Sequence, residues 1–180
     1  MSTLVLVRHA LPAADKDTPP ADWSLSPEGE QAAAQLVDHL PGFATLVSSP
    51  EVKAAATLAP AARFREDPVV QDGRFREVDR PEEPWGEDVR RTRRAYLDGH
   101  LDAGWEPHSD VARRFGAGVE WWSRLSGDRP LVVASHGMAM TVWLVGTGAL
   151  PRDQAGDFWE RMRFPEMLRL TRTPQGWRRA

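Results

Sequence analysis

The sequence predicts an α/β fold: a three-layer sandwich with a mostly parallel central sheet flanked by helices, and an antiparallel hairpin at the C-terminal end. Three observations predict it. Short continuous apolar runs at 4–7 and 131–134 read as strands buried on both faces, as parallel strands are. Segments of helical periodicity alternate with them. No internal repeat and no linker divides the 180 residues, so a single domain is expected over 1–180.

The elements follow in chain order. Residues 4–7 form a strand that ends at Arg8, and 11–23, rich in Pro, Asp and Ala, is a loop. Ser26-Pro27 gives an N-cap followed by proline at the first helical position; Ala33, Leu36, Val37 and Leu40 make one helix face, stopped by Pro41-Gly42. A second strand at 45–47 precedes Ser49-Pro50, a repeat of the cap signal, for a helix to about Leu58. Val69-Val70 suggests a third strand, and a helix spans about 87–97. Ser109 is expected to cap a longer helix with Val111, Phe115, Val119, Trp122 and Leu125 as its stripe. Gly127 and Pro130 introduce the strand at 131–134, and 138–145 is apolar nearly all round, as a central helix is. Pro151 opens a short helix. Residues 167–171 and Trp177 flank a turn at Pro174-Gln175-Gly176.

Composition excludes several classes. There is no cysteine, so disulfide frameworks, thiolate metal sites and cysteine nucleophiles are out. A net charge of -3 gives no reason to expect nucleic acid or an anionic membrane as partner. The start of the chain lacks a basic n-region, and no stretch approaches the ~20 apolar residues that span a bilayer. A cytoplasmic location is the expectation.

In such a sheet the site lies outside the carboxyl ends of the strands. Two strand ends each deliver a histidine: Val7-Arg8-His9-Ala10 and Ser135-His136-Gly137. Between them come Ser48-Ser49-Pro50-Glu51-Val52-Lys53 and Arg76-Glu77-Val78. In this order the four motifs resemble the histidine phosphatase superfamily, in its phosphoglycerate mutase-like branch, from residue 4 to about 145. The resemblance implies phosphomonoester hydrolysis without metal or cofactor, through a phosphohistidine on His9, with small phosphorylated compounds as substrates. It also implies that 71–108 is a variable cap or insertion beside the site.

Residue by residue, His9 matches the nucleophile of that family, Arg8 its first phosphate arginine and His136 its second histidine. Lys53 stands in place of a second arginine. It keeps the charge and loses the bidentate fork. Glu77 falls where many members place the general acid, although Arg74, Arg76 and Arg80 nearby favour its ionised form; Glu106 is a weaker candidate. Ala10 replaces a glycine. The chemistry agrees with these roles: a phosphate monoester brings nearly two negative charges, Arg8 offers a planar fork, and neutral His9 offers a ring nitrogen for in-line attack. Two alternatives stay open, a protein-phosphohistidine phosphatase and a catalytically inactive phosphate-binding or regulatory module. Trp121, Trp122 and Trp143 are expected in the core, and Trp85 and Trp105 around a pocket for the leaving group. His39, His100 and His108 are expected at the surface, and Arg90, Arg91, Arg93 and Arg94 on a solvated helix face.

Overall fold

Alternate side chains of a strand serve opposite faces of a sheet, so an unbroken apolar run feeds two cores at once. In the computed structural model, which describes residues 3–83, 85–86, 88–100 and 103–179, strand β1 (Thr3–Arg8) does this. Leu4 and Leu6 enter one core, and Val5 and Val7 the other. The remaining strands are β2 (Thr45–Ser48), β3 (Val69–Gln71), β4 (Leu131–Ser135), β5 (Glu166–Thr173) and β6 (Gly176–Arg179). They form one six-stranded sheet in the order β3-β2-β4-β1-β5-β6. The first four strands of that order are parallel, and the β5–β6 hairpin runs antiparallel on the edge of β1. The fold is the expected α/β sandwich with a C-terminal hairpin.

On one face lie α1 (Pro27–Gln35), a following 3-10 turn and α2 (Val52–Arg65), which cover Val5, Val7 and Val132 with Leu36, Ala54 and Leu58. On the other lie α3 (Asp88–Leu97), α4 (His108–Ser126), α5 (Gly137–Gly146) and α6 (Ala155–Arg161). Their Tyr96, Phe115, Trp143 and Trp159 pack over Leu4, Leu6 and Val133. Burying each large apolar side chain contributes roughly 1.5–3 kcal/mol, which is why both faces need a helical layer. Among the described residues no helix is long and apolar enough to cross a membrane.

Several local expectations shift. Ser26 caps α1 through Gly29 N–H as its sequence predicts. Ser49 does not cap α2, however: Glu51 holds the N-cap position, and the Ser49 hydroxyl is taken by Glu51 N–H and the His136 ring. Helix α2 continues past Pro60 to Arg65 rather than ending near Leu58, because Leu58 and Ala61 are both buried against the sheet side and hold the turn that proline weakens. Ser109 lies inside α4, where Pro107 occupies the N-cap position. Near its end the buried stripe of α4 steps from Trp122 to Ser126, so Leu125 and Trp121 face outward, 62% and 52% exposed. Trp121 is therefore not a core residue; the Arg74 guanidinium lies against its ring. His108 is half-buried edge-on against Tyr96 instead of at the surface. Residue 87, expected to open the third helix, lies outside the described residues.

Candidate active site

Register positions the two histidines. Arg8 pairs with Ser135 across β1 and β4, so the next residue of each strand, His9 and His136, leaves the sheet at the same edge. The His9 N–H donates to Ser135 O and the Ser49 N–H to Ala134 O, which extends the ladder one step beyond the strands and fixes three strand ends together. The imidazole centroids of His9 and His136 are 5.2 Å apart.

The His9 ring lies 2.8 Å from its neighbour's carbonyl: Nδ1–H donates to Ala10 O, which leaves Nε2 as the lone-pair nitrogen. Burial, and then the cationic neighbours, hold this ring's pKa well below the ordinary histidine value. His9 is neutral at pH 7. The methyl of Ala10 is tolerated because it faces a small cluster with Leu25 and Ala33, while Ala10 N–H donates to Thr57 Oγ1. His136 is fully buried, and burial lowers it to about 3, so it too is neutral. Its Nε2 lies 2.8 Å from Ser49 Oγ and 3.2 Å from Glu51 Oε1.

Arg8 is anchored by Nη1 donating to Met162 O at 2.7 Å, and its guanidinium lies 3.6 Å from the centroid of the Phe164 ring. Burial lowers its pKa to about 10, which still leaves a cation at neutral pH. Among the described residues, Arg8 Nε and His136 Nδ1 are buried without a hydrogen-bond partner. Lys53 is 5% exposed and donates to Pro20 O at 2.6 Å and to Glu51 Oε2 at 2.5 Å. Glu51, for which the motif implies no role, thus sits between Lys53 and His136. The available signal was a carboxylate two residues before the lysine, a pattern shared by any solvated helix start.

Glu77 reaches the same edge from the segment after β3. Its Oε1 accepts from Val78 N–H and Ala139 N–H, and Oε2 from Met138 N–H, so the carboxylate caps the first turn of α5. Burial alone would raise its pKa; the His136 ring, charged in the acid range where Glu77 titrates, then Arg80 and these amides overcome that and leave it at about 2. Glu106 is elsewhere engaged, gripped by Arg114 at 2.7 and 2.9 Å and by Asp79 N–H.

A cleft of about 450 Å³ opens beside Arg8, between Val89 and Arg93 of α3 and Trp159, Met162 and Phe164. The tryptophans expected to line a pocket do not line this one. Trp105 is buried against Tyr96 with ring centroids 4.7 Å apart, and Trp85 is 62% exposed, edge-on to Trp23. Trp105 is a core residue instead, because local composition does not reveal which tertiary partner a tryptophan meets, while Trp85 stands against Trp23, whose ring faces Lys53. The basic run of α3 is also less free than expected: Arg93 holds Glu83, and Arg94 holds Asp157 and Glu160 of α6. A hollow of about 630 Å³ between Arg94, Asp98, Arg152 and Asp153 contains none of the strand-end groups. Among the described residues no group of three or more His, Cys, Asp or Glu side chains could hold a metal ion.

Two neutral imidazoles with an arginine and a lysine gathered at one sheet edge define an enzyme of phosphate chemistry, a phosphatase in class. The chain belongs to the histidine phosphatase superfamily (branch 1), whose family model matches residues 4–178. No curated protein sequence matches it. Among solved structures it is similar to a mutant phosphoserine phosphatase from Entamoeba histolytica in complex with phosphoserine (16% identity, TM-score 0.79, covering 100% of this chain and 95% of that one). Bacillus stearothermophilus YhfR gives 20% identity and a TM-score of 0.78, with 100% and 96% covered. A mycobacterial glucosyl-3-phosphoglycerate phosphatase with inorganic phosphate gives 22% identity and 0.75, also with 100% and 96% covered. These likenesses show the fold.

Proposed function

We propose that the protein hydrolyses small phosphomonoesters through a phosphohistidine on His9, with no metal in the mechanism. The observation that carries this reading is the Nδ1–H to Ala10 O bond. It fixes the tautomer in which Nε2 of a neutral ring is free to attack phosphorus. Arg8 then supplies fixed positive charge, and its unpartnered buried Nε–H is a donor that a phosphate oxygen would satisfy. Lys53 adds a second cation, and His136 a ring nitrogen at the same edge, beside the first turn of α5.

Ionised Glu77 is suited to accept a proton from the water that attacks the phosphohistidine, and it also holds α5, and with it His136, in place. The 71–108 segment acts as the cap of the site, contributing Glu77 and, through α3, one wall of the cleft beside Arg8. The phosphorylated metabolite substrates named for the similar structures agree with this size of substrate.

The test is to incubate the protein with a radiolabelled aryl phosphate in the presence of a chelator and quench it. Turnover together with acid-labile, alkali-stable label on the protein is the expected result. Turnover without trapped label at any quench time, or none until a divalent metal is added, would sink the mechanism.

A further inference from the structure

A phosphatase of this kind uses its cations to meet an anion, yet here the lysine of the site already holds one. Glu51 Oε2 lies 2.5 Å from Lys53 Nζ, while Oε1 accepts from Glu77 N–H at 2.8 Å and faces His136 Nε2 at 3.2 Å. A phosphate oxygen that joins Lys53 would lie within about 5 Å of the carboxylate, since both would be hydrogen-bonded to one ammonium. Two anionic oxygens on one partly buried ammonium repel unless a proton is placed between them.

The other charges around Glu51 do not remove the conflict. On the α2 side only Lys53 touches it, and on the β4–α5 side the facing ring is His136, neutral through burial. On the β1 side stand His9, also neutral, and Arg8, turned toward Met162 and Phe164. From the segment after β3, Glu77 adds a second carboxylate, Arg80 and Arg93 share Glu83, and Arg76 and Arg114 share Glu106.

We propose that Glu51 makes the site take its phosphate ester together with one proton, and that the Glu51 carboxyl holds this proton for the leaving oxygen. The inference rests on the phosphatase reading above. The balance closes: the monoprotonated ester and neutral His9 give the alcohol and a phosphorylated imidazolium. The P–O bond to the alcohol breaks as the P–Nε2 bond forms. The proton carried in leaves on the alcohol, and the ring keeps its own on Nδ1. Glu77, with its oxygens on the amides of α5, is left to the water step.

The test compares p-nitrophenyl phosphate, whose leaving group needs no proton, with glycerol 2-phosphate, whose leaving group does. Glu51→Gln is expected to lose at least about 100-fold in kcat on the alkyl ester and less than about tenfold on the aryl ester. Wild-type kcat/KM is expected to fall about tenfold per pH unit on the alkaline limb, and Glu51→Gln to flatten that limb. Glu51→Asp keeps the limb and loses alkyl turnover by a smaller factor; if the glutamine variant does not fold, the alkyl-to-aryl ratio is read on the aspartate variant. Equal losses on both esters with the alkaline limb unchanged would overturn the inference and leave the proton with His136. A wild type that hydrolyses neither ester and does not bind inorganic phosphate would remove the phosphatase reading itself, and this inference with it.

Discussion

The strand-end floor of the site and the 71–108 segment beside it are held by different forces. The floor is backbone order: β1 lies between β4 and β5, its apolar residues are fully buried, and the loops that follow β1 and β2 continue the ladder for one more bond. The neighbouring segment packs Phe75, Val78, Tyr96, Leu97 and Trp105 into the core and adds to them a set of side-chain ion pairs. Glu83 serves Arg80 and Arg93, Glu106 serves Arg114 and Arg76, and Asp72 serves Arg74 and the Trp122 indole. A floor of this kind is expected to keep its shape when a side chain beyond the strand ends is lost. The segment has single residues on which several others depend.

The largest effect tests the floor. His9→Ala should lower turnover of an aryl phosphate by at least about 10⁴-fold while the melting temperature stays within a few degrees, because the backbone bonds that hold this strand end do not involve the ring. Calorimetry beside the assay checks both halves. A variant that instead unfolds would show that the floor depends on the side chain after all.

The next effect tests the segment. Arg114 binds Glu106 through two nitrogens and donates to the carbonyls of Arg74, Arg76 and Glu77. With both partners about nine-tenths buried, Arg114→Ala should destabilise by about 3 kcal/mol in urea unfolding and lower activity by displacing Glu77. Unchanged activity with reduced stability would separate the segment from the site.

The smallest effect again concerns the floor. His9 and His136 are neutral in the folded state, with pKa values below the ordinary 6.5. The unfolded chain binds protons there first, so stability is full above pH 6.5 and is lost as pH falls below it. Each histidine contributes at most about a tenfold change in the folding equilibrium per pH unit. Glu77, at about 2, adds a further loss only below about pH 4.5. Urea midpoints between pH 7.5 and 5 check this; a midpoint that holds steady across the range would mean the rings are charged inside the fold.

Legibility divides along the same line. Strands such as 4–7 and 131–134 could be read because burial on both faces writes an apolar run into the sequence, and register then carries His9 to His136. The anchor of Arg8 could not be read, since Met162 and Phe164 reach it across 154 and 156 residues with no local pattern. Glu51 carries no local sign of its place, because a carboxylate near a lysine has the same local appearance whether solvated or enclosed. The places of Trp105, Trp121 and the end of α4 are hidden for a related reason: helical spacing gives a direction around the axis, and tertiary packing decides whether anything lies there.

One feature of the sheet bears on how the protein is made. The strand that delivers His9 leaves a ribosome well before its antiparallel neighbour β5 and before the carbonyl that seats Arg8, 154 residues further along the chain. At roughly 5–20 residues per second, His9 and Arg8 wait on the order of ten seconds or more for this support. A chain released before that point would carry all four strand-end motifs and still lack the carbonyl that seats Arg8.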